Sequence, residues 1–260
     1  MESKDIVAAI VSNLESYWLN YGRTSHGELF EHFDCSGFST IVPTPLYNGV
    51  IRTQFGLGTI DERIDQTIDH FAQKQLPFVW WTTSLAEPSI LETSLEAHGL
   101  TRIMELPGMA IDLSTFSPVS ERETIEILKV EDAATLEQWV KVAMIGFETP
   151  MNLFDSLFVL ESELEMPYSR YLALWNGQPA GISALYPKDG IAGIYFVATI
   201  PEARRQGIAL AVTQAALKEA QNLGYQLAIL QASPMGTPLY ARLGFQEYCK
   251  LSLFLWTPDH

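Results

Sequence analysis

One stretch limits what this chain can fold into more than any other. It runs from Ile191 to Tyr225 and reads IAGIYFVATIPEARRQGIALAVTQAALKEAQNLGY. It opens with Ile194-Tyr195-Phe196-Val197, β-branched and aromatic as a strand is. Pro201 and Glu202 close a short loop. Arg204-Arg205-Gln206-Gly207-Ile208-Ala209 then leads into an Ala- and Leu-rich helix that stops at Gly224. A strand, a glycine-bearing loop and a helix start together make a place to hold phosphate. The first turn of a helix carries N–H groups without internal partners, and its dipole makes that end positive. Gly207 lets a ligand approach the backbone, Ala209 keeps the next turn open, and Arg204 and Arg205 add positive charge. No GxGxxG is present, nor a GxxxxGK[ST] with its lysine, which excludes the common dinucleotide and nucleoside-triphosphate loops.

Arg204-x-x-Gly207-x-Ala209 resembles the pyrophosphate-binding motif [Q/R]-x-x-G-x-[G/A] of the GNAT superfamily of acyl-CoA-dependent N-acyltransferases. Further on, Pro-Leu-Tyr-Ala-Arg-Leu-Gly-Phe, with Tyr240 and Gly244-Phe245, resembles the later motif of that family. Two motifs in the right order are far more specific than one. The resemblance covers roughly residues 121–260.

The first half repeats the pattern in decayed form. A helix over Asp61–Gln75 and a strand over Phe78–Thr82 parallel the helix over Gly207–Leu223 and the strand over Gln226–Gln231. A second helix, Pro88–His98, closed by Gly99-Leu100, parallels Pro238–Leu243, closed by Gly244-Phe245. The copies differ where chemistry would sit. The first helix follows Gln54-Phe55-Gly56-Leu57-Gly58, has no arginines, and begins with Asp61 and Glu62, which would repel a pyrophosphate. Four residues before the closing glycine stands Leu95, against Tyr240 in the second copy. The expected architecture is an α/β mixed-sheet chain of two tandem GNAT-like domains. A degenerate copy spans 1–114 and a cofactor-binding copy spans 121–260, joined by the polar, Pro-containing segment Ser114–Ser120.

The remaining elements read plainly. An amphipathic helix covers Ile6–Tyr21, strands cover Phe38–Val42 and Gly49–Phe55, and one or two strands fill Arg102–Leu113. In the second half a strand over Thr124–Val130 precedes a helix over Glu131–Ile145 capped by Asp132, and a further helix covers Leu153–Leu164. Arg170–Trp175 and Gln178–Tyr186 form a hairpin through Asn176-Gly177, and a last strand covers Tyr248–Trp256.

The net charge of −15 disfavours nucleic acid and anionic membranes, and suits an amine-bearing substrate. No apolar run is long enough to cross a bilayer, and acids interrupt the apolar start, so the expected location is the cytoplasm. Cys35 and Cys249 show no metal or redox spacing and read as buried free thiols. The five histidines form no ligand cluster, so no metal is expected.

The resemblance implies more specific roles. Acetyl-CoA would lie with its arm between two splayed parallel strands, Ile194–Thr199 and Leu227–Gln231. Val197, Ala198 and Thr199 would offer backbone groups, and the amides from Arg205 through Gln206, Gly207, Ile208 and Ala209 to Leu210 would hold pyrophosphate, with Arg204 beside them. Ser233 stands where the family often has an Asn that touches the arm. An amine would attack the thioester directly, with the Val197 N–H aiding the oxyanion and Tyr240 as proton donor to the leaving thiolate. Relatives often carry a carboxylate on the strand before the loop, and here that strand has none. Phe147 and Glu148, in the Gly146–Pro150 loop, would line the acceptor pocket. A non-catalytic acyl-CoA-binding, sensing or protein-interaction module is the alternative. Monomer and homodimer both stay open.

Overall fold

The computed structural model describes residues 2–32, 34–83, 90–119, 124–164 and 168–258. Pro88 and Ser89, the expected start of one helix, Ser120 at the end of the expected linker, and 121–123, where the second copy was to begin, lie outside the described residues.

The chain divides into two compact units, Met1–Gly108 with Tyr248–His260, and Met109–Glu247. These differ from the halves drawn from the repeat, since the final strand counts with the first unit. The difference is physical: a strand's own residues say that it pairs, but not with which strand it pairs.

In the first unit, helix α1 (Ser3–Gly22) is followed by strands β1 (Gly27–Glu31), β2 (Cys35–Thr40) and β3 (Gly49–Thr53), then helix α2 (Ile60–Gln73) and strand β4 (Phe78–Thr83). Helix α3 (Leu91–Ala97) leads to strand β5 (Thr101–Asp112), whose residues to Gly108 belong here. Strand β11 (Gln246–Trp256) joins the unit from Tyr248 and pairs antiparallel with β4, Leu253 opposite Trp81. β3 and β4 run parallel. Ile64, Phe71, Phe78, Trp80 and Leu95 fill the core beneath α2 and α3, so the apolar stripe of α2 does what its periodicity predicts.

In the second unit, β6 (Ile125–Lys129), α4 (Ala133–Gly146) and α5 (Phe154–Glu163) precede an antiparallel run of β7 (Ser169–Trp175), β8 (Gln178–Lys188) and β9 (Ile191–Thr199). Helix α6 (Ile208–Asn222), strand β10 (Leu227–Gln231), parallel to β9, and helix α7 (Thr237–Leu243) complete it. Asp132 caps α4 by accepting from the Thr135 N–H at 2.8 Å. Asn176 and Gly177 both take positive φ, 52° and 77°, as a type I′ hairpin turn requires. The small inner face of α6, Ala216, Leu217 and Ala220, packs on Ile194, Ala228 and Leu230 of the two parallel strands.

The repeat reaches down to single hydrogen bonds. α2 ends with Leu76 N–H donating to the Phe71 carbonyl, and α6 ends with Tyr225 N–H donating to that of Ala220, at 3.1 Å in both. α3 and α7 end alike: Leu100 donates to Leu95 and Phe245 to Tyr240, each at 3.0 Å, across the left-handed Gly99 and Gly244. Among the described residues no helix is long and apolar enough to cross a membrane.

Candidate active site

The site is built where β9 and β10 part. Their parallel pairing runs Leu227–Ile191, Ala228–Ala192 and Ile229–Gly193, and then stops, while β9 continues to Thr199. What turns β9 away is visible on its other edge. Against β8, Tyr195 faces Ala184 and Ala198 faces Ile182, so Phe196 and Val197 share the single residue Ser183. This is a β-bulge, which bends the strand and takes backbone groups out of the ladder. Phe196 carries it with φ +50°, a costly conformation for a bulky side chain.

Packing holds the bulge in place. The Phe196 ring lies 5.5 Å from Trp139 and 5.4 Å, edge-on, from Phe147. Gly146 makes this approach possible, since a Cβ there would stand 2.7 Å from that of Ala198. The end of α4 therefore rests on the bulged segment, and Phe147, 41% exposed, sits at its surface. Behind Trp139 lies a buried ion pair. Arg170 donates to Glu161 Oε2 at 2.7 Å while its guanidinium stacks on Trp139 and Tyr168. Glu148 follows Phe147 in a left-handed turn, φ +55°, and is exposed.

Beyond Thr199 the backbone turns twice through left-handed residues, Arg205 at φ +66° and Gly207 at φ +91°. Gly207 is the cap residue of α6, and a Cβ on it would meet nothing within 4 Å. Ala211 is the first residue to donate back into the helix, to the Gly207 carbonyl. The N–H groups of Ile208, Ala209 and Leu210 donate to no group among the described residues. Three free amides, the positive end of a 15-residue helix and an open glycine suit a polyanionic phosphate group. Arg205 is exposed beside them, while Arg204 is half-buried and its Nε donates to the Thr199 carbonyl at 3.4 Å. Gln206 is half-buried in the same loop.

Two side chains at the parting strands are short of partners. Thr199 Oγ1 and Gln231 Nε2 are both shielded from solvent with no hydrogen-bond partner among the described residues. Buried polar atoms are nearly always paired in native proteins, so these fit a ligand that lies along the gap. Thr199 was expected at the site; Gln231 was read only as the end of a strand. Phe196 and Trp139 also escaped sequence reasoning, because nothing in an aromatic residue announces a left-handed bulge.

Tyr240 lies on α7, its ring buried against Phe245 and in one core cluster with Ile194 and Leu230. Gly236 makes room for it, since a Cβ there would come within 2.7 Å of the ring. Burial alone pushes the phenol well above its ordinary pKa, so it is protonated at neutral pH. Its hydroxyl makes no hydrogen bond to any described residue. Ser233 is exposed, and its hydroxyl accepts from the Gly236 N–H at 3.1 Å, which caps the turn before α7. No three His, Cys, Asp or Glu among the described residues are placed to hold a metal.

Residues 134–245 match the acetyltransferase (GNAT) family. Across the whole chain the fold is similar to that of a GCN5-related N-acetyltransferase from Kribbella flavida. The TM-score is 0.74 at 18% identity, covering 98% of this chain and 96% of that one. A functionally unknown conserved protein from Staphylococcus epidermidis gives 0.66 at 15%, covering 88% and 93%. A tandem GNAT protein from the clavulanic acid biosynthesis pathway gives 0.61 at 11%, covering 100% and 98%. At such identities these likenesses show the fold, two tandem GNAT-like α/β domains. No curated protein matches the chain in sequence.

Proposed function

We propose, from the premise that residues 134–245 form a GNAT acetyltransferase domain, that the second copy transfers the acetyl group of acetyl-CoA to a primary amine. The observation that carries this is the pairing of a parted, bulged β9 with the unsatisfied amides at the start of α6. Acetyl-CoA, when bound, supplies an activated acyl carbon; the chain's own groups do the rest. The amides of Ile208, Ala209 and Leu210, with Arg205, hold the pyrophosphate. Arg204, already engaged with the Thr199 carbonyl, steadies the end of β9. Val197, in the bulge, offers its N–H to a carbonyl oxygen that gains charge, with Ala198 and Thr199 continuing the strand edge.

Attack forms a C–N bond and breaks the C–S bond. The ammonium proton leaves to water or Glu148, and the sulfur takes a proton from Tyr240. Burial keeps the phenol protonated and so able to give its proton, and the phenolate it leaves is reprotonated from water before the next turnover. The acceptor enters past Phe147 and Glu148. Ser233, bonded to Gly236, acts on the cofactor only by shaping the turn. Cytoplasmic location and a monomeric or dimeric state belong to this reading.

Calorimetric titration with acetyl-CoA, followed by an amine panel read by thiol release, tests it. Saturable binding and amine-dependent release are expected. Absence of binding would sink it.

A further inference from the structure

The unpaired carboxamide of Gln231 asks what it is for. Ala228, Leu230 and Ala232 share a core with α6, so alternation along β10 sets Gln231 on the opposite face. The parallel register, continued two residues past Ile229–Gly193, brings Gln231 level with Tyr195, directly before the bulge. Thr199 sits four residues further along β9. It faces the same side as its partner Gly181, whose missing Cβ leaves room for Ile208 of α6. The two unpaired side chains therefore flank the parting strands from opposite faces, one level with the bulge and one near the phosphate loop.

The molecule contains its own control. In the first copy, β3 also bulges, against β2, with Ile51 as the extra residue but without a left-handed backbone, and Thr53 holds the register position that Thr199 holds in β9. There the Thr53 hydroxyl is paired: the Trp80 indole N–H donates to it at 2.9 Å, both fully inside. Both parallel pairs part early, β3 from β4 after Val50–Trp80 and β9 from β10 after Gly193–Ile229; in the first the Trp80 indole bonds Thr53, and in the second two polar atoms have no partner among the described residues.

We infer that Gln231 is a binding residue for the acyl end of acetyl-CoA, its carboxamide N–H donating to a carbonyl oxygen there. Such a donor grips the arm independently of the phosphate loop. It is also the only side-chain donor that β10 brings to the gap among the described residues. This rests on the acetyltransferase reading.

The test compares two probes, acetyl-CoA and adenosine 3′,5′-bisphosphate, which has phosphates but no arm. Gln231→Met keeps the length and removes the donor. Its affinity for acetyl-CoA is expected to fall about five- to tenfold, with that for the bisphosphate unchanged. Its thermal midpoint without ligand should equal or exceed the wild type's, because a buried unpaired amide has been removed. Unchanged acetyl-CoA affinity would overturn the inference, as would an equal loss for both probes. Thr199→Val provides a second reading and should weaken acetyl-CoA binding with the same selectivity. If the wild type binds no acetyl-CoA, the enzyme reading itself fails first.

Discussion

The two copies use one design and finish it differently. Each has a bulged strand, a parallel neighbour, a long helix after the bulged strand and a short helix ended by a left-handed glycine. In the first copy, Trp80 bonds Thr53, Phe55 packs edge-on against Trp80 at 5.9 Å, and the helix after β3 opens with Asp61 and Glu62. In the second, Thr199 and Gln231 are unpaired, and the helix opens on Gly207 with three free amides and no acid in its first turn. An indole bonded to Thr53 makes a stable scaffold; leaving polar groups unpaired costs stability, which the proposed ligand would offset.

The sharpest break in this comparison is at the helix start. Gly207→Glu forces a side chain onto φ +91° and brings a carboxylate to the helix start, as the first copy has in its first turn. Acetyl-CoA affinity should fall by more than about 100-fold, read by calorimetry. Retained binding would mean that the phosphate lies elsewhere.

Next in size is Tyr240→Phe, which removes the group that Leu95 lacks in the first copy. Turnover should fall roughly 10²- to 10⁴-fold if the phenol is the proton donor. The thermal midpoint should hold, because the hydroxyl bonds to no described residue. The raised phenol pKa fixes the sign of the pH response. The donor stays protonated through neutral and mildly alkaline pH, so wild-type activity should rise as the amine loses its proton, with no decline from Tyr240 below about pH 10. An activity unaffected by Tyr240→Phe would make this residue a core aromatic only.

A third test measures stability at matched threonines. Thr53→Val leaves the buried Trp80 N–H without a partner and should cost about 1–3 kcal/mol in chemical unfolding. Thr199→Val breaks no internal bond and should lie within about 0.5 kcal/mol of the wild type. Equal losses would erase the distinction between a strand pair whose threonine is bonded and one whose threonine is not.

Much of this was legible in the sequence, for identifiable reasons. Helices announced themselves by periodicity and caps, the hairpin by Asn176-Gly177, and the left-handed turn into α6 by Gly207 between a strand and a helix. β1, Gly27–Glu31, was missed because a five-residue edge strand with no buried residue is held mainly by pairing with β2. The bulge at Phe196 was hidden for a different reason. Its left-handed backbone is imposed by Trp139, Phe147 and the close approach of Gly146, three residues distant in sequence. The partnership of Tyr248–Trp256 with β4 was likewise out of reach, since an apolar alternating strand fits many neighbours.

The smallest expected effect concerns the residue just past each long helix. The first copy ends α2 with Gln75 at φ +55°, the second ends α6 with Gly224 at φ +86°, and the same hydrogen bond follows both. A left-handed L-residue costs about 1–2 kcal/mol, whereas glycine adopts this conformation freely but loses about 0.5–1 kcal/mol of entropy. The Gln75 carboxamide recovers little, since its bond to the Ala72 carbonyl is exposed. Gln75→Gly should therefore stabilise the protein by about 0.5 kcal/mol and Gly224→Gln should destabilise it by a similar amount, both read as shifts in denaturant midpoint. Opposite signs at the two positions would show that the copies share backbone geometry even where their side chains have diverged. Equal signs would mean that the matching hydrogen bonds conceal different local energetics.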